Sequence, residues 1–282
     1  MTSRSENFLT HPKLKPVSMN ERLYGEWKLY IKKLESRNEV LSLEERSLKL
    51  KTNKLYEGKA TRFYETNNSK ELVVEIIQES SGKKGEKPSH VKERAKINAQ
   101  YTSLLFRYLE SYNIPTHFIK SVSDYEFLIK RTEILPVQLI VRNIAAGSLV
   151  KRYGLDAGKE LECPIVEYYL RDTEKQDPMI NEDHIISFGY ANSEEIKELH
   201  RLASKTNVVL KDFFQRRNLK LIDIKLEFGR YEKQILLAGA ILPRSCRLHD
   251  SDTGENWDYS AVKGEPDKIQ DYYDHIKNRF FD

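Results

Sequence analysis

The chain has 282 residues, 32% of them charged, with a formal net charge of only +4 at pH 7. This length suits one large domain or two lobes around a sizeable core, and the near balance of charge argues against a dedicated nucleic-acid binder. Two cysteines, Cys163 and Cys246, exclude a disulfide framework or a cysteine metal cluster. No apolar run approaches the roughly 18 residues of a membrane span. We therefore expect a cytoplasmic protein with neither nucleic-acid nor membrane partners.

Residues 1–50 form an N-terminal extension of different composition. Its first twenty residues are polar and include Pro12 and Pro16, which is typical of an extended segment. Further along, four apolar residues recur at helical spacing: Trp27, Tyr30, Ile31 and Leu34. This pattern predicts one amphipathic helix. Packing of its apolar stripe on the domain surface is favoured over binding of a partner.

Residues 51–135 are expected to form an N-terminal antiparallel lobe. The pattern predicts a hairpin that turns at Gly58, followed by a β-branched strand and an amphipathic helix over residues 92–112. Further strands are expected at residues 118–122 and 126–131.

Residues 136–282 are expected to form a mixed α/β C-terminal lobe. A strand is predicted over residues 137–142, and a long helix with Ser193 as its N-cap follows later. A strand pair is expected at residues 219–228 and 234–242, and a final helix at 266–280. Strands that precede a mixture of helices and strands indicate an α+β fold with two lobes.

The stretch from Val141 to Gly154 is the most informative segment of the chain. It combines two glycines, a serine and three cationic side chains within fourteen residues. Such a segment can present backbone N–H groups, a hydroxyl and positive charge to one anion, and Arg142 offers a planar fork for phosphate or carboxylate. A strand that turns into a helix with a solvated basic face is an equally weighted alternative.

Six blocks of sequence are informative in their order: Leu55–Ala60, Arg142–Gly154, Pro164–Tyr169, Asp177–His184, Asp223–Gly229 and Arg247–Asp250. The same blocks occur in this order in SAICAR synthetases, and the chain resembles that family over residues 54–250. The family joins aspartate to a carboxylated aminoimidazole ribotide at the cost of ATP. The resemblance implies a two-lobed fold in which the antiparallel N-terminal lobe covers ATP and the cleft holds the ribotide. It also implies a phosphoribosyl-imidazole and an amino acid such as aspartate as small-molecule partners. Homo-oligomerisation stays open.

The resemblance also implies roles for particular residues. The substrate-binding set is Arg142, Gly147, Ser148, Asn181, His184 and Arg247. The catalytic set is Asp177, Asp223 and Lys225. The nucleotide set is Lys59, Arg62 and Arg171, with Glu227 as the ligand of Mg²⁺. Strand alternation places residues 223, 225 and 227 on one face.

The resemblance is weakest at the ATP end. Gly239 and Ala240 stand where the family has an Asp-Glu pair, and Arg244 stands where it has an aspartate. Mg²⁺ is usually held by one or two carboxylates together with phosphate oxygens. The sequence therefore predicts that Mg–ATP binding, which the family implies, is weakened in this chain.

Three functions are compatible with these patterns. The favoured one is a diverged amide ligase whose ATP site is rebuilt around Arg62, Arg171 and Glu227. The second is an ATP-independent enzyme acting on a ribotide, with His184 or His249 as general acid or base. The third is a non-catalytic ribotide-binding or scaffold protein.

Overall fold

The computed structural model describes residues 50–58, 60–77, 88–263 and 265–281. Within these residues the chain forms two antiparallel sheets with helices packed on them. The predicted helix around Trp27 to Leu34 lies outside the described residues, and so does Lys59. None of the helices in the described ranges is long and apolar enough to cross a membrane.

The first sheet has five strands in the order β1-β2-β3-β5-β4. The strands are β1 (Lys54–Glu57), β2 (Thr61–Glu65), β3 (Glu71–Ile76), β4 (Phe118–Ser121) and β5 (Glu126–Lys130). The predicted turn at Gly58 joins β1 to β2, and its N–H donates to the carbonyl oxygen of Thr61 at 2.8 Å. One face of this sheet packs on helix α1 (Pro88–Ser111).

The second sheet runs in the order β12-β11-β9-β6-β7-β8, and β10 pairs with the other end of β9. Its strands are β6 (Glu133–Ile144), β7 (Glu160–Leu170), β8 (Met179–Ile180), β9 (Leu219–Tyr231), β10 (Gln234–Ala238), β11 (Cys246–Asp250) and β12 (Asn256–Trp257). Strand β6 is longer than the sequence predicts, because it continues past a register shift between Ile134 and Gln138. The expected boundary between lobes at residues 135 and 136 therefore falls inside a strand.

The remaining helices lie in the C-terminal half. They are α2 (Ser148–Tyr153), α3 (Glu182–Ser187), α4 (Ser193–Gln215), α5 (Tyr259–Val262) and α6 (Pro266–Phe280), with a 3₁₀ turn at Pro243–Ser245.

The predicted N-cap of α4 is wrong by one residue. Asn192, not Ser193, precedes the helix with extended backbone, and its side chain accepts from the Glu195 N–H at 2.9 Å. The Glu195 carboxylate in turn accepts from the Asn192 N–H at 3.0 Å, which completes a capping box. Ser193 is consequently the first helical residue.

One apolar core joins both sheets. Fully buried side chains from α1, α4 and the two sheets form a continuous cluster, including Phe106, Phe127, Leu139, Phe213 and Phe228. The residue before β4 also bonds to β10: the His117 N–H donates to the carbonyl oxygen of Leu237 at 3.0 Å. The α+β fold with an antiparallel N-terminal sheet agrees with the prediction.

Candidate active site

A buried carboxylate lies between two arginines at the centre of the second sheet. Asp223 on β9 is the register partner of Arg142 on β6 and of Arg247 on β11, so the three residues form one row across adjacent strands. The Asp223 Oδ2 accepts from Arg142 Nη1 at 3.1 Å and from Arg247 Nη1 at 2.8 Å. Burial raises the pKa of Asp223, and the two guanidinium charges oppose that rise. We call this set the arginine row.

Arg142 is buried and its donors are engaged. Its Nε donates to Glu167 Oε2 at 2.6 Å, and its Nη2 donates to Ser148 Oγ at 2.9 Å. Only 4% of the residue is exposed. Arg142 therefore positions the Ser148 hydroxyl and Asp223, and this contact set differs from that of a solvent-facing anion ligand.

Arg247 is the more accessible arginine of the row. One fifth of its side chain is exposed, and its Nε donates to Asp258 Oδ2 at 2.7 Å. Gly147, which precedes α2, has φ +55°, and a Cβ at that position would lie 2.9 Å from Arg247 Nη1. A glycine is therefore required beneath this guanidinium.

Arg152 was expected only as one of the three cationic side chains of the Val141–Gly154 stretch, and Glu167, Tyr169 and Asp258 were not among the predicted site residues. Arg152 donates to Tyr169 Oη at 3.0 Å and forms an ion pair with Glu167, and Tyr169 donates to Glu167 Oε2 at 2.8 Å. Glu167 and Tyr169 alternate within the Pro164–Tyr169 block, so their common face was a usable signal. Asp258 lies in a stretch without a recognised motif. The charges of the three arginines (Arg142, Arg152 and Arg247) and of the three carboxylates (Glu167, Asp223 and Asp258) sum to a formal zero. Each buried charge is therefore compensated by an opposite charge.

Three predicted site residues make local structural contacts. Asp177, with φ +47°, accepts from the Asp172 N–H at 2.9 Å in the turn between β7 and β8. Asn181 and His184 form the capping box of α3: the Asn181 side chain accepts from the His184 N–H at 2.9 Å, and the His184 ring accepts from the Asn181 N–H at 3.2 Å.

A cavity of about 540 Å³ is lined in part by Asn181. Its lining is mostly apolar and includes Leu149, Tyr153, Tyr168 and Met179. Glu167, the partner of Arg142, lines the same cavity. The mostly apolar lining could therefore accept an uncharged ring.

Glu227 lies on the same strand face as Asp223, about 13 Å away at roughly 3.3 Å per residue. The intervening residues that face the core are buried. Lys225 lies on the strand face that carries Asp223 and Glu227, as predicted, and it is exposed. Arg171 Nη2 lies 3.3 Å from Glu227 Oε2. Gly239 has φ +71°, and a Cβ there would lie 2.8 Å from Glu227 Oε2.

The residues around Glu227 do not fit a Mg²⁺ site of the implied kind. Among the described residues, no group of three or more His, Cys, Asp or Glu side chains is arranged to hold a metal ion. Glu227 supplies a single carboxylate, and the side chains of Gly239 and Ala240 add no oxygen. The Arg171 guanidinium lies 3.3 Å from that carboxylate and opposes a cation beside it.

Arg62, another predicted nucleotide ligand, makes ion pairs within the first sheet. Its Nε lies 3.0 Å from Glu57 Oε1, and its Nη1 lies 3.6 Å from Glu75 Oε1. The hydrogen bond to Glu57 raises the pKa of Arg62.

Comparison with known proteins identifies similar chains over most of the length. The profile of the SAICAR synthetase family matches residues 54–279. The phosphoribosylaminoimidazole-succinocarboxamide synthase of Chlorobium limicola is 40% identical over 229 residues, which is 81% of this chain and 97% of that protein.

Solved structures agree with this similarity. The phosphoribosylaminoimidazole-succinocarboxamide synthase of Ehrlichia chaffeensis aligns with a TM-score of 0.72 and 31% identity, over 80% of this chain and 98% of that one. A SAICAR synthetase in complex with ADP aligns with a TM-score of 0.73 and 34% identity, over 80% and 97% of the two chains.

Proposed function

The chain belongs to the SAICAR synthetase family, and on this premise we propose that it is an amide-forming ligase. Its substrates would be a phosphoribosyl-aminoimidazole carboxylate, an amino acid such as aspartate, and ATP. The observation that carries the proposal is the arginine row, in which Asp223 fixes Arg142 and Arg247 beside the Ser148 hydroxyl.

Amide formation from a carboxylate requires activation before the amine can attack. In the proposed reaction a carboxylate oxygen takes the terminal phosphoryl group of ATP, which leaves as ADP. The amine nitrogen then bonds to the acyl carbon while the bond between that carbon and the phosphate oxygen breaks. Phosphate departs, and the nitrogen loses a proton. Such transfers depend chiefly on positioning and on stabilisation of the developing negative charge.

Residues at different positions along β9 and its neighbouring strands would have different roles in this reaction. Arg247 and Ser148 would hold the anionic groups of the ribotide, and Arg142 and Asp223 keep them in position. Lys225 lies on the same strand face, between the arginine row and Glu227, where an ammonium can meet the charge of the transferring phosphoryl group.

Two predicted groups remain. Asp177, Asn181 and His184 are proposed to contact the amino acid or the imidazole ring, which the apolar cavity beside Asn181 accommodates. Lys59, Arg62 and Arg171 are proposed to contact the nucleotide phosphates. Because Glu227 is paired with Arg171, we expect nucleotide binding to depend little on Mg²⁺.

The comparisons lend no support to the ATP-independent and scaffold alternatives. The pairing of Arg171 with Glu227 is the one observation that favours ribotide binding without ATP chemistry. That second candidate predicts ribotide binding in the absence of any ATP turnover.

Product formation separates these candidates. The protein is incubated with carboxyaminoimidazole ribotide, ATP and aspartate, with and without Mg²⁺, and the succinocarboxamide product and ADP are followed by mass spectrometry. The ligase proposal predicts both products, and predicts their loss in the Lys225→Ala variant but not in Arg201→Ala, which removes an exposed cation on α4. Ribotide binding with neither product from any amino acid offered would contradict it.

A further inference from the structure

The first sheet has a second buried apolar cluster on the face opposite α1. Val73 is fully buried, Leu128 is 4% exposed and Val122 is 3% exposed. Register pairs join Tyr64 to Val73 and Val73 to Leu128, so these side chains form a line across β2, β3 and β5. Side chains alternate along a strand, and their neighbours Val74 and Phe127 belong to the main core with α1. We call this second surface the outer face.

Burial of the outer face requires a cover. An uncovered sheet face leaves its central side chains open to water, whereas Val73 has no exposed area. Among the described residues, the apolar side chains packed on the cluster are Leu50, Tyr64 and Ile119, and two of these belong to the sheet itself. Leu50 is the only one from outside it, and it stands at the start of the described chain.

The chain before β1 crosses the outer face. Thr52 and Asn53 bond to Glu65 on β2, each at 2.9 Å. One residue earlier, the Lys51 ammonium lies 4.4 Å from the Tyr64 ring centre and forms an ion pair with Glu126 on β5. Strand β5 lies two positions beyond β2 in the sheet, about 10 Å away at the usual strand spacing. From β1 towards the N-terminus, the chain therefore runs across the outer face of the sheet and not away from its edge.

The chain has ample length to complete this cover. Forty-nine residues precede Leu50, and they include the apolar stripe of Trp27, Tyr30, Ile31 and Leu34. The family match begins only at residue 54, and the Chlorobium limicola relative is covered over 97% of its own length by residues of this chain. The extension is thus an addition to the conserved fold, and the outer face is where it enters that fold.

We propose that residues 21–49 dock on the outer face of the first sheet of the same chain and cover Val73, Val122 and Leu128. Lys51 and Leu50 anchor the end of this segment, and the stripe from Trp27 to Leu34 supplies the apolar surface. The first sheet then has two layers packed against it, α1 on one face and the extension on the other. This inference does not depend on the proposed reaction.

Tryptophan fluorescence tests the docking in the full chain. The sequence contains two tryptophans, Trp27 and Trp257, so the Trp257→Phe variant reports on Trp27 alone. The proposal predicts blue-shifted emission and acrylamide quenching several-fold weaker than that of free N-acetyltryptophanamide. Adding Leu128→Asp places a charge on the outer face and should expose Trp27. Leu55→Asp, at an exposed leucine of β1, should not.

Three outcomes would overturn the proposal. The first is quenching of Trp27 as efficient as that of the free amide. The second is shielding unaffected by Leu128→Asp in a variant that circular dichroism shows to be folded. The third is shielding lost on dilution together with a halved mass, which would assign the cover to a second copy. If a variant fails to fold, hydrogen exchange of the unmodified chain decides: protected amides within residues 21–49 support docking, and complete exchange within seconds contradicts it.

Discussion

At the scale of single residues, the candidate site depends on partners that only strand register can specify. The sequence motifs single out Arg142, Ser148 and Arg247 as candidates. Their connection through Asp223 could not be predicted, since it requires β6, β9 and β11 to be adjacent with those residues in line. The bonds from Arg142 to Glu167 and from Arg247 to Asp258 also escaped prediction, because only the folded chain brings these distant segments together.

The buried side chain of His117, whose backbone bonds to β10, makes the stability of the fold depend on pH. Burial lowers the pKa of His117 from its ordinary value of 6.5 to about 4. The unfolded chain therefore takes up this proton at a higher pH than the folded chain does, so stability is full above pH 6.5 and declines as the pH falls towards 4. The decline attributable to His117 is at most about 3 kcal/mol.

Urea unfolding at several pH values tests this expectation. The His117→Gln variant should show a shallower loss of unfolding free energy between pH 6.5 and 4 than the unmodified chain. His200→Gln, which alters an exposed histidine on α4, should keep the original slope. Equal slopes for all three proteins would show that His117 does not contribute.

At the scale of elements, the long helices could be predicted from the sequence, whereas their boundaries and the short helices α3 and α5 could not. The apolar periodicity of α4 identified the helix, but the serine at its start resembles an N-cap as much as the preceding asparagine does. The extended backbone of Asn192 decided between them. The length of strand β6 was underestimated, because its bulge between Ile134 and Gln138 interrupts the alternation of side chains on which the prediction rests.

The capping box of α4 yields a prediction about stability. Asn192→Ala removes the side-chain acceptor for the Glu195 N–H, so it should lower the free energy of unfolding by about 1 kcal/mol. Ser193→Ala changes the first helical residue and should have a smaller effect. Chemical denaturation of both variants measures the difference, and a larger loss for Ser193→Ala would contradict the assignment of the cap.

At the scale of the whole molecule, one strand links the two ends of the proposed chemistry. Strand β9 carries Asp223 in the arginine row, exposed Lys225, and Glu227 beside Arg171. The α+β architecture and the order of the motifs could be predicted from sequence. The ion pair between Glu227 and Arg171 could not be predicted, since the approach of Arg171 from the end of β7 is a property of the folded sheet.

The proposed function depends most on the binding of a phosphorylated ribotide by the arginine row. Calorimetric titration with carboxyaminoimidazole ribotide measures this most directly, without nucleotide and in the presence of a metal chelator. We expect saturable binding that weakens about tenfold or more in Arg247→Ala, since hydrogen bonds to charged groups contribute roughly 1.5–3 kcal/mol. Arg247→Lys should bind with intermediate affinity, because it keeps the charge and loses the planar fork, and Arg201→Ala should bind like the unmodified chain. Absence of binding at millimolar ribotide, or equal affinity of Arg247→Ala and the unmodified chain, would contradict the account.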